Sequence, residues 1–265
     1  MEGTGQRALP KRIGIVTGAS SGLGCAFAKE LDRMQVCDEL WLVARSADAL
    51  EGVAAALSTP ARAMPADLTD VASIQEMAEA LDTEQPRVTY LVNAAGFGKF
   101  GSWDTVSDAD ANAMVDLNCR ALVDMTRTVL PHMERGGRII QVASAAAFAP
   151  LPHLNVYAAT KAFVLRYTRA LRWELHGTGI IATALCPTWV KTGFEKVARA
   201  SGGGHDVGHL WGEQDARTVA RRALRANKAH FAVACASPQS FALRVVGKVV
   251  PSCVTMAGWN ILRRL

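Results

Sequence analysis

The sequence predicts a doubly wound α/β fold, a parallel sheet with helices on both faces. Three observations point there. Short apolar, β-branched runs recur along the chain without polar alternation, as strands buried on both faces require. Longer amphipathic stretches separate them, the pattern of crossover helices between parallel strands. Gly- and Asn-bearing turns follow the strand ends, on the edge where open parallel sheets receive ligands.

The elements follow in order. Residues 13–16 are a β-branched run ending at the turn Thr17-Gly18-Ala19-Ser20-Ser21-Gly22-Leu23-Gly24, and a helix is expected over about 23–34. Residues 40–43 read as the second strand, 47–57 as a helix and 61–66 as a weaker third strand. A helix over 71–81 has Thr69 and Asp70 as candidate caps. Residues 88–92 form a strand that ends at Asn93-Ala94-Ala95-Gly96. A long helical region covers about 107–133, then 138–142 is a strand, 154–176 a helix and 180–185 the sixth strand. Right-handed crossovers wind such a series into one sheet.

The chain has 265 residues, 50% hydrophobic and 20% charged, which excludes disorder and allows a sizeable core. No linker or composition break divides it, so residues 1–265 are expected to form a single domain with a tail at 1–11. A formal net charge of +5 suits an anionic cofactor, nucleic acid or a lipid surface. No Lys/Arg block of the nucleic-acid kind appears, so nucleic acid is not expected as a partner. Cys25, Cys37, Cys119, Cys186, Cys235 and Cys253 form no C-x-x-C pair. They read as reduced, buried thiols of a cytoplasmic protein. Residues 1–11 lack the apolar core of a secretion signal, and no apolar run reaches the ~18 residues of a membrane span.

Gly18, Gly22 and Gly24 fall between a predicted strand and a predicted helix. Without side chains there, the backbone can approach a diphosphate, while the helix N-terminus offers free N–H groups and a favourable dipole. A tight structural turn would use the same glycines, but the strand-turn-helix context favours a dinucleotide. After the second strand, Ala44 is followed by Arg45, where an acidic residue would bond the ribose of NAD. Arg45 offers a cationic fork suited to a 2′-phosphate, so the expected cofactor is NADP(H).

Tyr157 and Lys161 are four apart in a predicted helix and share a face. A free phenol titrates near about 10, and a neighbouring ammonium favours the phenolate. Any surface pair can have this spacing. What changes the reading is Ser144 at a predicted strand end and Asn118 in the preceding helical region.

Thr17-Gly-x-x-x-Gly-x-Gly24, Asn93-Ala-Ala-Gly96, Asn118, Ser144 and Tyr157-x-x-x-Lys161 resemble, in order and spacing, the short-chain dehydrogenase/reductase family over about residues 12–195. The resemblance implies a Rossmann sheet and the activity of an NADP(H)-preferring carbonyl reductase or hydroxysteroid dehydrogenase. Two departures stand out: Ala94 replaces a common second Asn, and Cys186-Pro187-Thr188 replaces the more usual Pro-Gly. Tyr157 is expected to protonate the developing alkoxide, Ser144 to bond the substrate oxygen, and Lys161 to tune Tyr157 and hold the nicotinamide ribose. The resemblance gives Asn118 a water linking Lys161 to solvent. It places Asp67 on the adenine with Leu68 nearby, and Asn93, Ala94 and Gly96 along the cofactor. It sets Pro187, the Val190 backbone and Thr192 beside the nicotinamide, although a helix cap is a second role open to Thr192. Ser20, Ser21 and Leu23 of the glycine turn join this set. A homodimer or homotetramer built on the long central helices is also implied.

Phe97, Phe148, Leu151, His153, Trp189 and Phe194 are expected around the nicotinamide. They favour a hydrophobic small-molecule ketone or secondary alcohol, a steroid among them, with His153 available for a polar substituent. Residues 192–215, with Gly202, Gly203, Gly204, Gly208 and Gly212, suit a lid over the site and an irregular surface loop equally. His205, Asp206, His209, Glu213 and Asp215 lie there too, but a glycine-rich setting lacks the rigidity of a metal centre and no metal is expected. The basic, amphipathic segment 237–265 can cap the cleft, pack across a subunit boundary or lie on a membrane; the packing roles are favoured. The leading function is NADP(H)-linked interconversion of ketone and alcohol. A 3-oxoacyl thioester reductase is the second, and a non-catalytic NADPH-binding sensor or scaffold the third.

Overall fold

In a computed structural model, which describes residues 10–200, 207 and 212–263, the first apolar run becomes β1 (Arg12–Thr17), buried from Ile13 onward. The glycine turn leads to α1 (Gly22–Met34), and β2 (Glu39–Ala44), α2 (Ala47–Ala54), β3 (Ala61–Pro65) and α3 (Val71–Glu84) complete the first half. The second half is β4 (Arg87–Asn93), α4 (Asp108–Val115), α5 (Ala121–Val129), β5 (Met133–Val142), α6 (Asn155–Glu174) and β6 (Ile181–Cys186). After it come β7 (Val190–Lys191), α7 (Phe194–Ala198), β8 (Gln214–Asp215), α8 (Ala216–Lys228), β9 (Val233–Cys235), α9 (Pro238–Val249) and α10 (Ser252–Leu262).

Seven strands form one parallel sheet in the order β3-β2-β1-β4-β5-β6-β9, while β7 and β8 pair separately. This is the expected doubly wound architecture. Alternate residues of each strand feed opposite layers. Val16, Leu40 and Leu42 pack with Phe27, Leu31, Val219 and Leu224 from α1 and α8. Ile15, Trp41 and Val43 pack on the other face with Leu81 and Met125 from α3 and α5. Burial on both faces is why these strands show no polar alternation. Winding reverses between β1 and β4, leaving a crevice above their carboxyl ends. Register places Thr17 beside Asn93, Asn93 beside Gln141 and Val142 beside Leu185, so Gly18, Ala94, Ser144 and Pro187 emerge along one edge.

The structure departs from expectation in several places. The helical region 107–133 is broken by a π-helical turn, Asp116–Arg120, and closes in a 3-10 turn, Leu130–His132, whose Pro131 cannot continue a helix. Strand β5 starts early, at Met133, which pairs with Val88. Within 192–215, α7 and β8 are regular. Gly202, Gly203, Gly204, His205, Asp206, Gly208, His209 and Trp211 lie outside the described residues, as do Met1 to Leu9 of the tail and Arg264. The cysteines are unpaired, but only Cys37 and Cys186 are buried, and Cys253 is exposed.

The C-terminal helices pack inward on one side. Ser240 Oγ of α9 donates to the Cys186 carbonyl, and Gly247 lies against the Phe148 carbonyl. Trp259 of α10 donates through Nε1 to the Pro152 carbonyl at 2.8 Å. Among the described residues no helix is long and apolar enough to cross a membrane.

Candidate active site

The glycine turn is pinned to its neighbours. Thr17 Oγ1 accepts from the N–H groups of Ala94 and Ala95, each at 3.1 Å, and Gly18 has φ of 67°, with its backbone against Ala95. The N-cap of α1 is Ser21, yet its hydroxyl caps nothing and no acidic residue stands in the first turn. By contrast α2, α3, α4, α8 and α9 are each capped by their own Ser46, Asp70, Ser107, Asp215 and Ser237. The first-turn N–H groups of α1 are thus left for an anion, and the turn's bare glycines let it approach. A dinucleotide diphosphate fits this cradle. Thr192 stands over it: a Cβ on Gly22 would lie 3.2 Å from the Thr192 Cβ. Thr192 Oγ1 also accepts from Phe194 N at 3.2 Å, but the N-cap of α7 is Gly193, one residue on, so Thr192 is not the cap itself.

Arg45 follows β2 directly and is exposed. Hydrogen bonds from the Thr69 side chain and backbone hold the Asp67 carboxyl below the usual range, and the Arg45 charge contributes. Arg45 and Asp67 therefore face a common space beyond β2 and β3, with Leu68 buried beside them. Thr69 serves Asp67, and Asp70 alone caps α3.

The Asn93 side chain turns away from the crevice. Its Nδ2 donates to Thr126 Oγ1 at 3.0 Å, which also accepts from Gln141 Nε2 at 2.8 Å, bracing β4, β5 and α5. The backbone of Ala94 to Gly96 is what faces the crevice: a Cβ on Gly96 would sit 2.8 Å from Asn118 Oδ1 and 3.3 Å from Lys161 Nζ. Asn118, buried in the π turn, accepts from Phe97 N at 3.0 Å and donates to Phe97 O at 2.9 Å and Thr160 Oγ1 at 3.1 Å. Both of its amide hydrogens are committed. π turns inside α-helices are frequent at functional sites.

Ser144, Tyr157 and Lys161 converge. The Ser144 hydroxyl stands near enough to the Tyr157 phenol to lower its pKa, and it accepts from Ala146 N at 3.1 Å. Lys161 Nζ lies 5.8 Å from the Tyr157 ring centroid and donates to the Val142 carbonyl at 2.9 Å. The Pro187 carbonyl accepts from Ala145 N at 2.8 Å, tying the Ser144 loop to the end of β6. Gly98 seats the tyrosine, since a Cβ there would meet Tyr157 Cδ2 at 2.8 Å and Phe194 Cζ at 2.9 Å. Burial pushes the Tyr157 phenol up to about 12, opposed by the Ser144 hydrogen bond. Burial also draws the Lys161 ammonium down to about 8. The sequence leads one to expect Lys161 to lower Tyr157; in the structure burial raises the phenol and Ser144, not Lys161, is what opposes it. At neutral pH the arrangement is a neutral phenol beside a cation.

An apolar wall closes over the phenol. Phe97, Leu151, Trp189 and Phe194 join Tyr157 in one cluster, with Phe194 5.5 Å from the Tyr157 ring. Phe148 falls outside it, packed with Leu122, Ala143 and Val164 because α9 presses on its backbone. His153 is half-buried and has φ of 65°. The sequence reading missed Phe100, Met114, Leu154 and Ala198, and did not attach Trp259 to this wall. Phe100 was within reach, three residues after Phe97 and 5.8 Å edge-on from Trp189.

The family described as short chain dehydrogenase matches residues 12–202. An uncharacterized oxidoreductase of Staphylococcus epidermidis is 32% identical over 184 residues, 69% of this chain and 79% of that protein. A short-chain dehydrogenase from Sphingobium yanoikuyae in complex with NADPH superposes with a TM-score of 0.75 at 25% identity, over 92% of this chain and 96% of that one. The 3-ketoacyl-(acyl-carrier-protein) reductase from Brucella melitensis, complexed with NADH, does so with a TM-score of 0.69 at 28% identity, over 88% and 93%.

Proposed function

The chain belongs to the short-chain dehydrogenase family, and on that premise we propose an NADP(H)-dependent reductase of hydrophobic ketones, acting in reverse on secondary alcohols. One observation carries this reading: a phenol with Ser144 beside it and Lys161 behind it opens onto a wall of Phe97, Phe100, Trp189 and Phe194. Bound nicotinamide would supply or accept the hydride. Tyr157 then gives its proton to the oxygen that becomes an alcohol, and takes it back in oxidation. Ser144 bonds that oxygen as charge gathers on it. Lys161 stabilises the phenolate left behind and holds the cofactor ribose. Asn118, whose side chain is braced by Phe97 and Thr160, would hold a water that links Lys161 to solvent.

Gly18, Ser20, Ser21, Gly22, Leu23 and Gly24 would cradle the diphosphate, Asp67 and Leu68 the adenine, and Ala94, Gly96, Pro187, Val190 and Thr192 the nicotinamide half. Asn93 supports the loop from behind. A steroid or another bulky carbonyl suits the aromatic wall, to which Phe194 of α7 contributes. A 3-oxoacyl thioester reductase is the second reading, favoured by the likeness to the Brucella melitensis enzyme. The complete Asn118, Ser144, Tyr157 and Lys161 set counts against a non-catalytic sensor. Exposed Trp173, and Phe163 stacked on Tyr167 along α6, support a homodimer or homotetramer. Six unpaired thiols fit a reducing, cytoplasmic setting.

The test is nicotinamide turnover on a panel of hydrophobic ketones, alcohols and 3-oxoacyl thioesters with both cofactors. Fastest reduction of bulky ketones with NADPH is expected; NADPH binding without turnover on any of them refutes the proposal. Arg45→Glu should cost NADPH about 2 kcal/mol, roughly thirtyfold in affinity, by loss of a charged hydrogen-bonding pair. NADH should change little, and equal losses for both would remove Arg45 from the 2′-phosphate.

A further inference from the structure

We infer that the outer faces of α9 and α10 form a docking surface for an anionic lipid membrane. Helix α9 turns Ser240 and Gly247 toward the body of the protein. Its opposite stripe is Phe241, Val245 and Val249, four residues apart and 59%, 45% and 77% exposed. Helix α10 repeats the pattern with Val254, Ala257 and Ile261 exposed on one side. Large apolar side chains left in water on two successive helices mark a surface that something covers.

The charge says what. Residues 237–265 contain no Asp or Glu; of their four cations, Arg263 is buried and Arg264 lies outside the described residues, which leaves Lys248 and Arg244 to charge this face. Lys248 is exposed between Val245 and Val249, and Arg244 is half-buried one turn earlier. A second copy is a poor occupant. A two-fold contact sets a patch against itself, which brings Lys248 and Arg244 toward their own copies with no carboxylate of the segment to answer them. Anionic headgroups answer the cations while the boundary with the acyl chains takes the Val and Phe stripe, as interfacial amphipathic helices do. The inner side of α10 carries Trp259 into the apolar wall over Tyr157. If the ketone reading holds, the helix lying on lipid is the one that closes the pocket, and an apolar substrate would enter from the membrane side. Docking itself does not depend on that reading.

The full chain should float with vesicles of phosphatidylglycerol and phosphatidylcholine, weakly with phosphatidylcholine alone, and less as salt rises. Val245→Asp with Val249→Asp, both on solvent-facing positions, should weaken partitioning at least about tenfold with unchanged circular dichroism. Lys248→Glu should lose the preference for the anionic lipid. Absence of flotation would overturn the proposal, as would aspartate variants that float like the parent. Sedimentation velocity showing that those aspartates split an oligomer assigns the face to a second copy and overturns it equally. None of these readouts requires turnover.

Discussion

Tyr157→Phe should lower kcat/KM for ketone reduction by about three orders of magnitude, within the range of a lost general acid. NADPH affinity should stay within about twofold of the parent, because only uniform binding would move it. The substitution is a clean one. The ring keeps its seat between Gly98 and Phe194, and the fold is not asked to fill a cavity. What disappears is one oxygen, near Ser144 and buried beside Lys161. Burial holds that phenol protonated up to about 12, so the proton donor is present across the neutral range. The group that titrates first is Lys161, drawn down to about 8 by burial. Above that pH the cation that stabilises the nascent phenolate is lost, and kcat/KM for reduction should decline there rather than near the phenol's own value. Measuring the profile for the parent and for Lys161→Met checks this: the variant should be slow and lack the decline. Full turnover by Tyr157→Phe would move the proton to another donor.

Much of this site is legible in the sequence because its groups are placed by local rules. Tyr157 and Lys161 share a helix face by spacing alone, Ser144 follows a strand, and the glycine turn joins a strand to a helix. Other features are not local. The π turn at Asp116–Arg120 adds little to the apolar rhythm of the helices around it, so 107–133 reads as one helix, although the turn sets Asn118 against Phe97. Trp259 meets the wall over Tyr157 only because α10 folds back to the Pro152 carbonyl. Phe148 is steered elsewhere by Gly247 of α9, another distant partner. The tyrosine pKa was misjudged for a different reason. Counting charges along a helix includes the Lys161 ammonium but omits the water that folding removes, and that desolvation is the largest cause of the shift here.

Gly24→Ala tests the cradle itself and should be as damaging as any single methyl in this protein. An added Cβ would lie 2.1 Å from the Gly18 carbonyl oxygen and 2.5 Å from its carbon. Those are backbone atoms, and neither side can yield. The turn is held by Thr17 Oγ1 on Ala94 and Ala95 and by Ala19 N on the Val43 carbonyl. Helix α1 is held by Phe27, Ala28 and Leu31, all fully buried. Strain must therefore appear in both properties that this contact serves. Urea unfolding should show a loss of about 3 kcal/mol, the upper end for overpacking. Titration with NADPH should show at least about a hundredfold weaker binding, since a cradle opened even slightly no longer presents the first-turn N–H groups of α1 together. Gly52→Ala supplies the contrast. Gly52 lies in α2 with nothing within 4 Å of its would-be Cβ, so the same methyl there should stabilise by about 0.5–1 kcal/mol through helix propensity, with NADPH binding unchanged. If Gly24→Ala instead behaved like Gly52→Ala, the close approach of α1 to Gly18 would not be what holds the diphosphate, and the assignment of this turn would fail.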